Sequence, residues 1–159
     1  MLLKFCCLLV LVVVVVSAQE MAPEGFQHWT AVSLNQMAQE LRTEAAGNPH
    51  HIATRRLADF PNDLFMLSHR EADGIVEWHE TQADVFFVQS GSATLLVGGT
   101  MVGGDIVEPH EKRNGKIEGG VRKQLSAGDV VRIPPQVPHQ ILLEGAKEFT
   151  YFVIKVKGY

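Results

Sequence analysis

Two stretches, GIVEWHETQADVFFVQSG over Gly74–Gly91 and GDVVRIPPQVPH over Gly128–His139, decide how the chain is read. In a strand, alternate side chains share a face, so Glu77 and His79 point the same way and enter a barrel together or not at all. Trp78, one residue out of phase, faces away and packs. Glu80–Ala83 then reverses the chain, and Asp84 starts the next strand with Phe86 and Val88 on its own side. A carboxylate, an imidazole and a second carboxylate are thereby expected at one mouth of a barrel. In the second stretch Gly128 and Asp129 turn the chain, Val130–Ile133 forms a strand, and Pro134, Pro135 and Pro138 impose a rigid bend that delivers His139. Such rigid delivery suits a metal site, which tolerates misplaced ligands poorly.

Working outward, the residues on both sides of these blocks read as strands. Ile52–Ala58, Leu64–Arg70, Gly74–His79, Asp84–Gln89, Ala93–Val97, Val121–Leu125, Val130–Ile133, Gln140–Leu143 and Phe149–Val156 are short, rich in β-branched and aromatic residues, and punctuated by Gly, Pro, Asn and Asp. Many short strands between turn signals predict an all-β sandwich or barrel. Val85–Val88 and Tyr151–Ile154 are apolar on both faces, which places them centrally or under an outer cover, either a helix or a second subunit. The glycine-rich, charged run Gly98–Gly120 is read as a long excursion joining the two halves of the barrel.

Upstream, Ser33–Ala46 predicts one amphipathic helix: Ser33 and Gln36 form a capping-box pair, Met37, Leu41 and Ala45 recur at helical spacing, and Gly47 with Asn48 ends it. The first residues have the pattern of an export signal, with Lys4, the apolar run Leu8–Val16 and the small-residue site Val16-Ser17-Ala18. A transmembrane anchor needs about 20 apolar residues, more than this run supplies. The organisation expected is therefore a signal peptide over 1–18, a tether over 19–31 and a single domain over 32–159, secreted or periplasmic, with no membrane contact after cleavage. Both cysteines, Cys6 and Cys7, lie inside the signal, so the remainder must be held by packing. The net charge of −4 gives no basic surface for nucleic acid.

The two blocks resemble the paired motifs of the cupin superfamily, G(x)5HxH(x)3-4E(x)6G and G(x)5PxG(x)2H(x)3N. Asp84 and Gly91 keep the carboxylate-to-glycine spacing, His79 falls on the second histidine, and Glu77 takes the place of the first. Gly128, Pro134 and His139 keep the second motif's spacing, while Gln136 replaces its glycine and Leu143 its asparagine. The resemblance runs from about Leu64 onward. It implies an all-β, cupin-type double-stranded β-helix, or jelly-roll barrel, carrying the short N-terminal helix. It also implies a divalent metal held by His79, Asp84, His139 and Glu77. Iron, manganese, nickel and zinc all suit two imidazoles and carboxylates.

Two functions follow from that resemblance. One is a metal-dependent enzyme acting on a small molecule; the other is a metal-free barrel that binds a sugar-like or other small ligand and catalyses nothing. Whether the chain is an enzyme, and which residues would be catalytic, stays open. Ser- or Cys-based catalysis has no support, because no GxSxG turn occurs and no cysteine follows the signal. His50, His51, His69 and His110 match no ligand spacing, although His110 sits in an excursion that could fold over the barrel mouth. The two-sided apolar strands predict a homodimer through an outer sheet face.

Overall fold

The computed structural model describes residues 22–159, so the signal expected over 1–18 lies outside the described residues. After a single helix, α1 (Ala31–Ala46), the chain is strands: β1 (Ile52–Asp59), β2 (Asp63–Arg70), β3 (Glu77–His79), β4 (Gln82–Val97), β5 (Thr100–Val102), β6 (Asp105–Glu108), β7 (Glu111–Arg113), β8 (Lys116–Glu118), β9 (Val121–Ser126), β10 (Val130–Ile133), β11 (His139–Leu142) and β12 (Phe149–Lys157). No described helix is long and apolar enough to cross a membrane.

The longest strand organises the sheet. The two runs expected at Asp84–Gln89 and Ala93–Val97 are one continuous strand, β4, that serves both halves of a curled antiparallel sheet. Its first half pairs with β12 and β10, its second with β11 and β9. The strand passes from one half to the other around Gly91, just beyond Gln89, where the register against β12 slips. Gly91 has φ +76°, and a Cβ there would stand 2.1 Å from the carbonyl oxygen of Glu148, so only glycine fits the corner. From β4 the order continues outward through β12 and β2 to β1 on one side, and through β11, β3 and β7 to β6 on the other.

Period-2 alternation packs the interior. Phe86 and Val88 of β4 meet Tyr151 and Val153 of β12, and Leu95, Ile133, Ile141 and Phe149 complete one buried cluster. The Phe86 and Tyr151 rings cross edge to face at 5.0 Å, and Phe149 stacks on Tyr151 at 4.8 Å. Outside the sheet, Leu41 and Ala45 of α1 pack on Ala53 and Leu67. The helix is thus the outer cover for β1 and β2. It begins earlier than its sequence suggested: Thr30 is the N-cap, with its Oγ1 accepting from the Ser33 amide at 3.1 Å, so Ser33 is the third helical residue and not the cap. Trp29, within the segment read as tether, lies over Phe65 and Phe152 with centroid separations of 5.2 and 5.5 Å. Phe87, 42% exposed, and Val130, 61% exposed, keep an apolar patch on the outer face of β4 and β10.

The excursion Gly98–Gly120 is ordered into four short strands. β5 pairs with β8, β6 with β7, and β7 docks on β3 so that Glu77, Trp78 and His79 face Arg113, Lys112 and Glu111 in register. Weak strand propensity is overridden there by pairing with a neighbour far away in sequence. Conversely, Gly74–Val76 is not strand; β3 starts only at Glu77.

Candidate metal centre

β3, β4 and β11 bring together the four residues singled out by spacing. Glu77, His79, Asp84 and His139 each offer an atom within 4.8 Å of the others. Their positions follow from register. Glu77 pairs with His139 across β3 and β11, and Asp84 opens the inward row that continues through Phe86 and Val88. Asp84 Oδ2 lies 3.3 Å from His79 Nε2 and 3.4 Å from His139 Nε2, while Glu77 Oε2 lies 3.8 Å from both. The proline-rich bend is tied to the same strand: Gln136, with φ +63°, donates its amide to the His79 carbonyl at 2.7 Å. That left-handed conformation accounts for a glycine at the corresponding motif position, and Gln136 adopts it here at some conformational cost.

Both imidazoles are oriented from behind. His79 Nδ1 is 2.5 Å from Glu111 Oε2, and His139 Nδ1 is 3.1 Å from the Val137 carbonyl. A ring whose Nδ1–H is held by a carboxylate or carbonyl presents the lone pair of Nε2 to the opposite side, the usual arrangement of metal-ligating histidines. His139 Nε2 is buried and has no hydrogen-bond partner among the described residues. The donor set, two Nε2 atoms and two carboxylates, therefore fits a divalent ion in kind and in spacing.

Two residues at this centre had not been singled out in the sequence. Glu111 comes from the excursion, which β7 carries onto β3. Lys155 comes from β12, where Tyr151, Val153 and Lys155 form the inward row and Lys155 lies opposite Asp84. Its Nζ is 2.8 and 3.1 Å from the two Asp84 oxygens and 2.9 Å from His79 Nε2. Arg113 Nη1 stands 3.6 Å from Glu77. Three carboxylates, Glu77, Asp84 and Glu111, thus face the Lys155 ammonium and the Arg113 guanidinium.

This excess of negative charge sets the ionisation of the cluster. Burial opposes a charged His79, but its contacts with Asp84 and Glu111 outweigh burial and the nearby Lys155 ammonium, and raise its pKa to about 9. Burial likewise opposes an ionised Asp84, yet the adjacent His139 and His79 rings and the charge of Lys155 hold it far below the ordinary carboxylate range. Glu77 is also held down: burial acts against this, and Lys155, His139, Arg113 and His79 overcome it. The Lys155 contact to His79 is a hydrogen bond only while Nε2 keeps its lone pair. Protonation of His79 and donation by Lys155 to that atom are therefore alternatives.

Cavities of about 380 and 480 Å³ open beside the cluster, and Glu77, Phe86, Arg70, Arg113 and Tyr151 line both. Arg70 donates to the Tyr151 hydroxyl at 2.7 Å, and its guanidinium lies so close to Gly74 that a Cβ there would meet Nη1 at 2.3 Å. The remaining histidines lie elsewhere. His110 bonds Glu80 at 2.7 Å on the surface and does not reach the ligand group. His69 is fully buried under α1, with Nδ1 2.7 Å from Thr150 Oγ1. It groups with Glu71 and Glu148, but Glu148 is engaged by Arg42 at 2.5 Å.

No family model matches the chain, and no curated protein matches it in sequence. Solved structures do match in shape. A double-stranded β-helix domain protein from Klebsiella pneumoniae superposes with TM-score 0.51 at 16% identity, over 67% of this chain and 77% of that one. The cupin domain of Cnp3 from Schizosaccharomyces pombe gives 0.51 at 11% identity, over 67% and 65%. KdgF from a Halomonas species gives 0.50 at 16% identity, over 70% and 83%. Likeness at such identities speaks to the fold alone.

Proposed function

We propose that this chain, which has the cupin fold, holds a divalent metal ion through His79, His139, Asp84 and Glu77 and uses it to bind or act on a small molecule in the adjoining cavity. One observation carries the reading: both histidines are held at Nδ1 so that their Nε2 atoms converge with Asp84, and His139 Nε2 is buried with no hydrogen-bond partner among the described residues. A buried imidazole nitrogen without a partner is costly unless a ligand completes it. A bound divalent ion would supply Lewis-acid polarisation of an oxygen on the small molecule. The chain's own contributions are distinct from that. Glu111 fixes the His79 tautomer, Gln136 ties the His139 bend to β3, and Glu77, the most exposed of the four at the cavity wall, is the group positioned to take a proton from a bound molecule if it is not itself a ligand.

A metal-free, ligand-binding barrel is the second reading, and Lys155 is what favours it: the ammonium already pairs with Asp84 at 2.8 Å and lies 2.9 Å from His79 Nε2. Metal titration separates the two. The first reading requires about one equivalent of bound ion that disappears in His79→Ala and His139→Ala; no binding to wild type or to a Lys155 variant sustains the second. The export pattern over 1–18 supports a secreted or periplasmic chain, tested by N-terminal sequencing of protein recovered outside the cytoplasm. The exposed Phe87 and Val130 support a homodimer through that face, and a monomeric mass in light scattering would refute it.

A further inference from the structure

We infer that Lys155 is an internal cation that competes with the metal for this site, so that the ammonium and a divalent ion are alternative occupants of one position. The inference rests on the metal reading above and concerns how that site is filled and emptied.

The exclusion follows from position. Lys155 Nζ lies 2.9 Å from His79 Nε2, the atom through which His79 would hold a metal. Asp84 is claimed as well, with both oxygens within 3.1 Å of Nζ. A divalent ion cannot reach His79 and Asp84 until the ammonium withdraws. Charge points the same way. An ion of charge +2 placed beside an unmoved ammonium in a buried site would meet strong repulsion, whereas exchanging one for the other meets the demand of Glu77, Asp84 and Glu111 for positive charge.

The position of Lys155 is built into the fold. Its backbone is paired on both sides, with Asp84 on β4 and Leu64 on β2, and the row Tyr151, Val153, Lys155 points inward. The residue is 9% exposed, and its stem continues an apolar wall. A lysine anchored there reaches the ligand group as a consequence of register. The withdrawn side chain has somewhere to go, because the cavity of about 380 Å³ is lined by Lys155 itself along with Glu108 and Glu111. The same arrangement lets the metal-free protein fold with its carboxylates compensated, and it sets the apparent metal affinity below what the four donors alone would give.

The test compares manganese(II) and zinc(II) titrations of the wild-type protein and Lys155→Met, which keeps the stem and removes the charge. Competition predicts that the variant binds on the order of tenfold or more tightly than wild type, and that His79→Ala in the Lys155→Met background abolishes this. Equal or weaker binding by Lys155→Met overturns the competition while leaving the metal reading intact; binding by neither protein overturns both. A measurement on wild type alone guards against a variant that does not fold. Acetylation of amines, read by mass spectrometry, should leave Lys155 protected without metal and expose it on saturation with zinc. Protection that does not change with zinc overturns the inference.

Discussion

Replacing Asp84 with Asn in the metal-free protein removes one charge and almost no volume, and the structure fixes what that leaves behind. Asp84 is 2% exposed and Lys155 9%, so the ammonium would remain in a buried site with its main counter-charge gone. Breaking a buried ion pair from one side costs about 3–5 kcal/mol, a large part of the roughly 5–15 kcal/mol that holds a domain together. For a chain of this size the melting temperature should fall by roughly 10 °C or more. Lys155→Met strands Asp84 instead, but His79 remains 3.3 Å from it and can supply positive charge, so this single change should cost less. In the double variant no stranded charge is left, and its stability should lie above that of Asp84→Asn alone. The assay is urea unfolding of all four proteins in chelator, with a coupling energy of about 2 kcal/mol or more expected. Additive costs, within about 0.5 kcal/mol, would refute the description of Asp84 and Lys155 as an interdependent buried pair.

The pH dependence of the metal-free protein follows from the same cluster. His79 is raised from 6.5 to about 9 in the fold, so its stabilisation is complete below pH 6.5 and is lost as pH climbs to about 9. That alkaline loss is at most about 3 kcal/mol. Asp84 is lowered, so its contribution is present above about pH 4 and disappears as acid protonates it. Unfolding midpoints should therefore plateau between these limits, and His79→Gln should flatten the alkaline limb; an unchanged alkaline limb in that variant would contradict the assignment. Glu111→Gln weakens the hold on His79 Nδ1, and metal affinity measured by calorimetry should drop roughly 10–100-fold with the fold intact by circular dichroism. Unaltered affinity would remove Glu111 from the centre.

Much of this centre was legible in the sequence because it depends on local rules. Strand alternation puts Glu77 and His79 on one side, the same rule starts the Asp84, Phe86, Val88 row, and the three prolines around Gln136 announce a rigid delivery of His139. Val130–Ile133 matches its observed strand end for end. The two residues that escaped reading depend on long-range pairing. Glu111 lies in a segment of weak strand propensity and reaches His79 only because β7 pairs with β3. Lys155 had a signal, since it continues the alternation of Tyr151 and Val153, but a lysine near the end of a strand and close to the chain terminus is ordinarily solvated. Only the register of β12 against β4 sets it opposite Asp84. The helix start differs from its sequence pattern for a smaller reason: Ser33 and Gln36 imitate a capping box, while Thr30 stands three residues earlier and caps with its own hydroxyl.

The most direct test of the account is calorimetric titration of the chelator-treated protein with zinc(II) and manganese(II), alongside His79→Ala and His139→Ala. The account predicts one saturable equivalent of ion per wild-type chain and none in either variant. Absence of stoichiometric binding by the folded wild-type protein, or binding that survives the loss of both histidines, would contradict a metal centre at Glu77, His79, Asp84 and His139.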